Sequence, residues 1–200
     1  LRLHISRKFL KFIPVDFKGV TEEMEILITS TLIQMTFGLK KYILRRFKTI
    51  FVLPDTYKVQ NHDALLGHVD FDANVIALSW PSVQEGFVIP DDAFNVALHE
   101  LAHAIQAENH DRFIASKFFD ELDYLKFNEV GVKKLYDIRA QRHEYLKAYA
   151  GQNMLEFFAV CIEAFFEQPE EFFAALPDLY NVMVRLLRQD PRRGQNPLAG

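Results

Sequence analysis

One stretch constrains this chain more than any other: Asn95-Val96-Ala97-Leu98-His99-Glu100-Leu101-Ala102-His103-Ala104-Ile105. Most of it is small and apolar. It reads as a core helix, capped by Asp91 or Asp92 and running to about Glu108. His99 and His103 are four apart, so they share one face, one turn apart. Two imidazoles and a carboxylate on a buried helix are unfavourable unless something satisfies them. Core histidines bonded to backbone would be one answer. A metal ion is the better one, because the spacing lets both rings reach one ion at the roughly 2.0–2.1 Å that zinc prefers. The expected cofactor is therefore one Zn2+ per chain, with His99 and His103 as ligands.

Glu100 follows the first histidine and can point beside the metal, where a water would sit. A carboxylate there can take the water's proton, and zinc lowers that water's pKa toward about 7. This is the His-Glu-x-x-His pattern of metallopeptidases, with Glu100 as general base. A catalytic zinc has three protein ligands and an open position, so a third ligand is required. No histidine stands six residues after His103. His110 stands seven after it, at an apparent helix end with no glycine to turn the chain back. Downstream carboxylates are the better source: Glu121, Asp123, Glu129, Glu156 and Glu163. Glu129 follows Asn128 but precedes Val130-Gly131, which reads as a break between helices. Glu156 lies in the apolar run Asn153–Val160, where a lone carboxylate again needs a partner. Glu163 is two turns further along the same face.

The 200 residues suit one domain over 1–190, with 191–200 expected as a flexible tail. Half of them are apolar, and the 19 Phe against one Trp suggest Phe-rich helices packed together. The net charge of −4 and the absence of a basic stripe exclude a nucleic-acid surface. Cys161 is the one cysteine and sits in an apolar run, so a core thiol is expected, with no disulfide. A closed structural zinc site would use four ligands and favour Cys. No apolar stretch approaches the roughly 20 residues that span a bilayer. A cytoplasmic location is expected, and a membrane segment upstream of Leu1 is left open.

Residues 4–13 read as helix or irregular. Thr21 caps a helix ending near Gly38. Short strands are expected at 48–53, 67–71 and 75–80, the last two forming a hairpin around Asp72-Ala73-Asn74. Residues 81–90 read as a loop. Helices follow at about 112–126, 134–149, 153–167, 169–175 and 178–189. The fold class is thus α+β, with a small N-terminal sheet and a helical majority.

Several segments together resemble one family, the Mlc titration factor A peptidases, which are also similar to the catalytic domain of anthrax lethal factor. They are Phe51–Asp55, Val75–Trp80, His99–His103, Tyr149 with Asn153 and Glu156-Phe157-Phe158-Ala159, Glu163–Phe166 and Pro169-Glu170. The likeness covers nearly all of residues 5–190. It implies a zincin-like gluzincin with His99, His103 and Glu156 as ligands and Glu100 as base. It also implies that Tyr149 donates a hydrogen bond to the oxyanion, a role suited to a neutral phenol beside a metal. Where the family has an Asp three residues after the second histidine, this chain has Gln106. The implied partners are a peptide or protein substrate and, by family likeness, a transcriptional repressor. An alternative is a regulator-binding module in which peptidase activity is secondary.

The run Val75–Trp80 has strand character and is expected to be an edge strand beside the metal helix. Ala77, Leu78 and Ser79 would then bind an extended substrate through main-chain hydrogen bonds. Residues 55–67 and 81–91 would form the rims.

Overall fold

In the computed structural model, residues 1–16, 18–58, 64–142 and 145–193 are described. Helix α1 (Arg2–Phe9) leads into strand β1 (Lys11–Pro14). Helix α2 (Glu22–Thr36) starts where Thr21 accepts from Met24 N at 3.2 Å, with acids in its first turn. Strands β2 (Thr49–Leu53), β3 (Tyr57–Lys58), β4 (Ala64–Leu65), β5 (Gly67–Asp70) and β6 (Val75–Ser79) follow. The rest of the described chain is helical: α3 (Trp80–Val88), α4 (Val96–His110), α5 (Glu121–Arg139), a 3-10 turn at Ala148–Gly151, α6 (Met154–Glu167), α7 (Pro169–Ala175) and α8 (Pro177–Leu187). The architecture is mixed α+β with a helical majority.

The main sheet has the order β1-β2-β6-β5. The β1–β2 and β2–β6 pairs are parallel, while β5 closes back on β6 in an antiparallel hairpin, Gly67 opposite Leu78 and Asp70 opposite Val75. Asn74 turns the hairpin with φ 58, a left-handed conformation that Asn tolerates. Strand β6 is therefore interior. Its backbone groups are committed to β2 and β5, and Leu78 and Ser79 are buried. This corrects the assignment of Ala77, Leu78 and Ser79 to substrate binding: two neighbouring strands leave no open ladder for a peptide. The edge beside α4 is β5.

Other expectations shift for identifiable reasons. Residues 81–90 are largely helix α3, because Ser79 caps it and Pro81 stands in its first turn, a favoured helix position. Helix α4 is capped by Asn95 and not by Asp91 or Asp92, with Asn95 Oδ1 accepting from Leu98 N at 3.0 Å. Residues 112–120 are irregular. One helix, α5, then runs through Val130-Gly131. A Cβ on Gly131 would lie 3.0 Å from Met154 Cε and Phe157 Cε1, so this glycine is a packing site for α6. Residues 4–13 resolve into the end of α1 and the edge strand β1. Of the expected tail, Pro191–Arg193 form a 3-10 turn, with Arg192 stacked on the Phe173 ring and paired with Glu170 at 2.7 Å. Residues 194–200 lie outside the described residues, as do 59–63 of the expected rim.

Sheet residues Ile50, Val52, Ile76 and Leu78 are fully buried, as are Phe127, Phe157, Phe158, Phe165 and Phe172 among the helices. Phe127 and Phe158 meet edge to face at 5.4 Å, and the phenylalanine-rich composition is explained by such pairs. Cys161 is buried among them. Helix α4 lies between the sheet and α6, and its alanines, Ala97, Ala102 and Ala104, let both neighbours approach. Its far end is pinned by Glu108. That carboxylate is wholly buried and accepts from Lys41 Nζ at 3.0 Å, Arg46 N at 2.6 Å and Phe47 N at 3.3 Å. Lys41 also donates to Ser116 O and lies 4.1 Å from the centre of the Phe118 ring. Removing one member of a buried pair leaves the other charge uncompensated, at about 3–5 kcal/mol. Lys41→Met is therefore expected to lower the melting temperature on the order of 10 °C for a chain of this size. A change of only a degree or two by calorimetry would show that the backbone donors alone satisfy Glu108.

Candidate metal centre

The centre is built from two helices. Helix α4 presents His99 and His103 one turn apart. Helix α6 begins beside them because Asn153 caps it, accepting from Leu155 N at 2.8 Å and Glu156 N at 3.0 Å. Glu156 thus stands in the first turn of α6, where the helix dipole favours a carboxylate. His99 Nε2 lies 3.0 Å from His103 Nε2 and 3.1 Å from Glu156 Oε2, and the third side, His103 Nε2 to Glu156 Oε2, is 3.5 Å. Ligands around a tetrahedral ion at zinc–nitrogen distance stand about 3.3 Å apart, so this triangle has the size a metal needs. The residues also fit the charge of an ion. Among the described residues, neither Glu156 nor Glu163 is paired with a lysine or arginine. Burial disfavours the His99 imidazolium, but hydrogen bonds to Glu156 and Glu163 outweigh it and push its pKa up to about 10. The cluster draws positive charge inward, and a cation would supply it while leaving both imidazoles neutral.

Around this triangle stands a supporting frame. Glu163 Oε1 bonds His99 Nδ1 and so orients the ring, while Glu163 Oε2 accepts from Asn95 N at 3.2 Å. Glu167, one turn on, accepts from Phe94 N at 2.9 Å and Asn95 Nδ2 at 2.9 Å. Asn95 Nδ2 also donates to Gly86 O in α3 at 3.1 Å. Glu156, Glu163 and Glu167 occupy one face of α6 and tie down both His99 and the start of its helix. Among the described residues His103 lacks such a partner: its Nδ1 and the Oε1 of Gln106, one turn along, are both buried without one. Gln106 Nε2 donates instead to Tyr124 Oη at 3.0 Å.

Glu100 points to the sheet side. Burial pushes its carboxyl up to about 7, with His99 opposing and Glu156 and Glu163 adding to the rise. Gly67, the first residue of β5, lies directly against it: a Cβ there would stand 2.6 Å from Glu100 Cγ and 2.9 Å from Oε1. Only glycine lets the edge strand approach so closely. Tyr149 lies on the 3-10 turn before α6, half-exposed, its ring centre 5.9 Å from that of His99. Burial and the nearby Glu156 raise its pKa, so the phenol stays neutral and able to donate. Arg139 holds the turn in place through Gly151 O and Gln152 O, each at 2.6 Å.

The structure brings together Glu100, Tyr149, His99, His103 and Glu156. It leaves Glu129 on the surface between Lys126 and Lys133, Glu121 at the exposed start of α5, Asp123 beside Arg185, and His110 against Tyr124. The roles of Asn95 and Gly67 were missed, although both carried a signal. An Asn directly before an apolar helical run is a cap signature, and a glycine in a strand marks close approach.

Three donors that could hold a metal ion thus meet where α4 and α6 come together. The sequence model of the glucose-regulated metallo-peptidase M90 family matches residues 5–188, and the chain belongs to that family. It is similar to Mlc titration factor A of Salmonella arizonae, 30% identical over 122 residues that cover 58% of this chain and 48% of the relative. Mlc titration factor A of Escherichia coli O17:K52:H18 is 27% identical over 152 residues, 70% of this chain and 57% of the relative. The chain thus spans about half the length of the curated relatives it matches. Among the described residues, no helix is long and apolar enough to cross a membrane.

If Glu163 orients His99, Glu163→Ala should weaken metal binding about 10- to 100-fold. Competition against a chelator of known affinity measures this, and an unchanged affinity would reduce Glu163 to a cap on Asn95.

Proposed function

We propose that residues 1–190 act as a zincin-like, gluzincin-type peptidase that hydrolyses peptide bonds, with His99, His103 and Glu156 holding one Zn2+. The observation that carries this reading is the 3.0–3.5 Å triangle of those three ligand atoms with the Glu100 carboxylate beside it. When bound, zinc supplies Lewis acidity, activating a water and polarising the scissile carbonyl. Glu100 takes the proton from the attacking water and delivers it to the nitrogen of the breaking C–N bond. Tyr149 donates a hydrogen bond to the oxygen that gains charge as the carbonyl carbon becomes tetrahedral. The substrate adds to the open edge of β5 in extended form, so main-chain bonds hold it and the buried β6 only supports that edge.

The relatives' name speaks of titrating Mlc. Binding of a repressor of that kind by this chain is a compatible second role, and nothing in the centre's geometry favours it over hydrolysis.

Glu100→Gln is expected to retain one zinc per chain by metal analysis yet lose hydrolysis of peptide mixtures, since an amide cannot accept the water's proton. Glu156→Ala should lose both. Loss of zinc from the Glu100 variant would reverse these roles. Tyr149→Phe should lower kcat on the order of 10²-fold with little change in KM, and equal rates would remove Tyr149 from the mechanism. Gly67→Ala presses on Glu100 and on Val96, so activity should drop at constant zinc content, with a melting temperature lower by a few degrees. Full activity would mean that the edge strand moves freely.

A further inference from the structure

Behind the ligand triangle, on the side of α4 away from Glu163, the interior holds a second polar line. Among the described residues, three buried side-chain polar atoms have no hydrogen-bond partner: Thr29 Oγ1 on α2, His103 Nδ1 and Gln106 Oε1. The last two belong to buried residues three apart on α4, a spacing that makes side chains neighbours on a helix. Their shortages are complementary. His103 turns Nε2 toward His99 Nε2 at 3.0 Å and Glu156 Oε2 at 3.5 Å, so Nε2 is the atom that would meet an ion. A neutral imidazole that gives Nε2 to a metal carries its proton on Nδ1, and that proton needs an acceptor. Gln106 Oε1 is an acceptor in need of a donor. The other end of the Gln106 amide is committed: Nε2 donates to Tyr124 Oη at 3.0 Å. Tyr124 is buried, stacks on Phe119 with ring centres 5.7 Å apart, and holds its Oη 2.7 Å from Nε2 of His110 at the exposed end of α4.

Resting on the metal centre of the peptidase reading above, we propose that Gln106 is the positioning residue of His103: with the ion in place, His103 Nδ1–H donates to Gln106 Oε1, and the line continues from Gln106 Nε2 to Tyr124 Oη and from the Tyr124 hydroxyl to His110 Nε2. Each bond fixes the sense of the next. With the amide turned over, Nε2 would face His103, and two donors would meet once Nδ1 carried its proton. That arrangement favours the tautomer with the proton on Nε2, which cannot ligate there. Tyr124 as acceptor for Gln106 therefore selects the metal-binding tautomer of His103 before any ion arrives. It also pairs the two orphaned atoms, which are unfavourable in the interior while apart. The consequence is a centre with unequal ligands. His99 leans on the Glu163 carboxylate, whereas His103 leans on a neutral amide. A charged partner strengthens an imidazole ligand more than a neutral one does, so residue 106 sets how tightly the His103 side holds the ion.

The test measures zinc affinity of the whole chain by chelator competition and reads the His103 ring by nitrogen-15 NMR. Gln106→Met keeps the size of the side chain and removes the acceptor, and it should weaken zinc binding about 10- to 100-fold. Gln106→Glu restores an acceptor, to which Tyr124 can donate, and its affinity should equal or exceed that of the unaltered chain. Tyr124→Phe frees the amide and should cost less than Gln106→Met. In the zinc-loaded unaltered chain, His103 is expected to be protonated at Nδ1, with that proton protected from exchange with water. In the Gln106→Met chain it should exchange faster. A Gln106 that serves packing alone would lower the melting temperature of the metal-free chain and leave affinity and proton unmoved, which overturns the proposal. So does a freely exchanging Nδ1 proton in the unaltered chain, a reading that needs no variant to fold. Graded affinities with the protected proton, but no cleavage of a peptide mixture, would sustain the role of Gln106 and sink the peptidase reading. Cleavage with affinities that ignore residue 106 would do the reverse, and a chain that binds no zinc would remove both.

Discussion

Helix α4 is buried on nearly every side and still carries Glu100, His103, Gln106 and Glu108 into the interior, with His99 only slightly more open. Each of these groups loses water, and the surrounding architecture answers that loss for some of them and not for others. Glu108 meets Lys41 and two backbone amides. His99 meets Glu163 and Glu156. Among the described residues Glu100 is paired with no lysine or arginine, and its carboxyl rises to about 7 through burial, against the pull of His99. The loop before β2, the start of α6 and the edge strand β5 are each located by what α4 requires of them.

Helix α6 is the counterpart. Its inward face alternates aromatic mass with three carboxylates, at 156, 163 and 167. The phenylalanines fix its distance from α5 through edge-to-face contacts, and Gly131 lets α5 come close enough to make them. The carboxylates fix its register against α4. Glu156 comes level with the two histidines because Asn153 ends the preceding turn where it does, and that same turn carries Tyr149. A rigid frame of this kind is what precise placement of reacting groups needs.

Much of the centre was legible in the linear chain. The His99–Glu100–His103 spacing sets a shared helical face whatever the fold, and the apolar residues between them foretold burial. The α+β order, the α2 cap at Thr21 and the β5–β6 hairpin at Asp72–Asn74 also follow from local chemistry. The third carboxylate was narrowed by the apolar setting of Glu156 and Glu163 and singled out only by likeness to a family, because five acids downstream were equivalent by sequence distance alone. The edge strand was misassigned for a related reason. An apolar run such as Val75–Ser79 announces burial but does not say which neighbours cover it, and those neighbours come from β2 and β5.

By itself, then, the sequence determined what short-range geometry determines: two imidazoles on one helical turn with a carboxylate beside them, inside a helix that must be covered. Tertiary structure decided everything that depends on elements far apart in the chain. It brought Glu156 to the two histidines by packing α6 on α4 and left Glu129 between two surface lysines. It placed Gly67 against Glu100 and Glu163 behind His99, across separations of 33 and 64 residues. The reason is that hydrogen bonds and close contacts act over a few ångströms, while sequence distance carries no information about which distant segments the core will bring within that range.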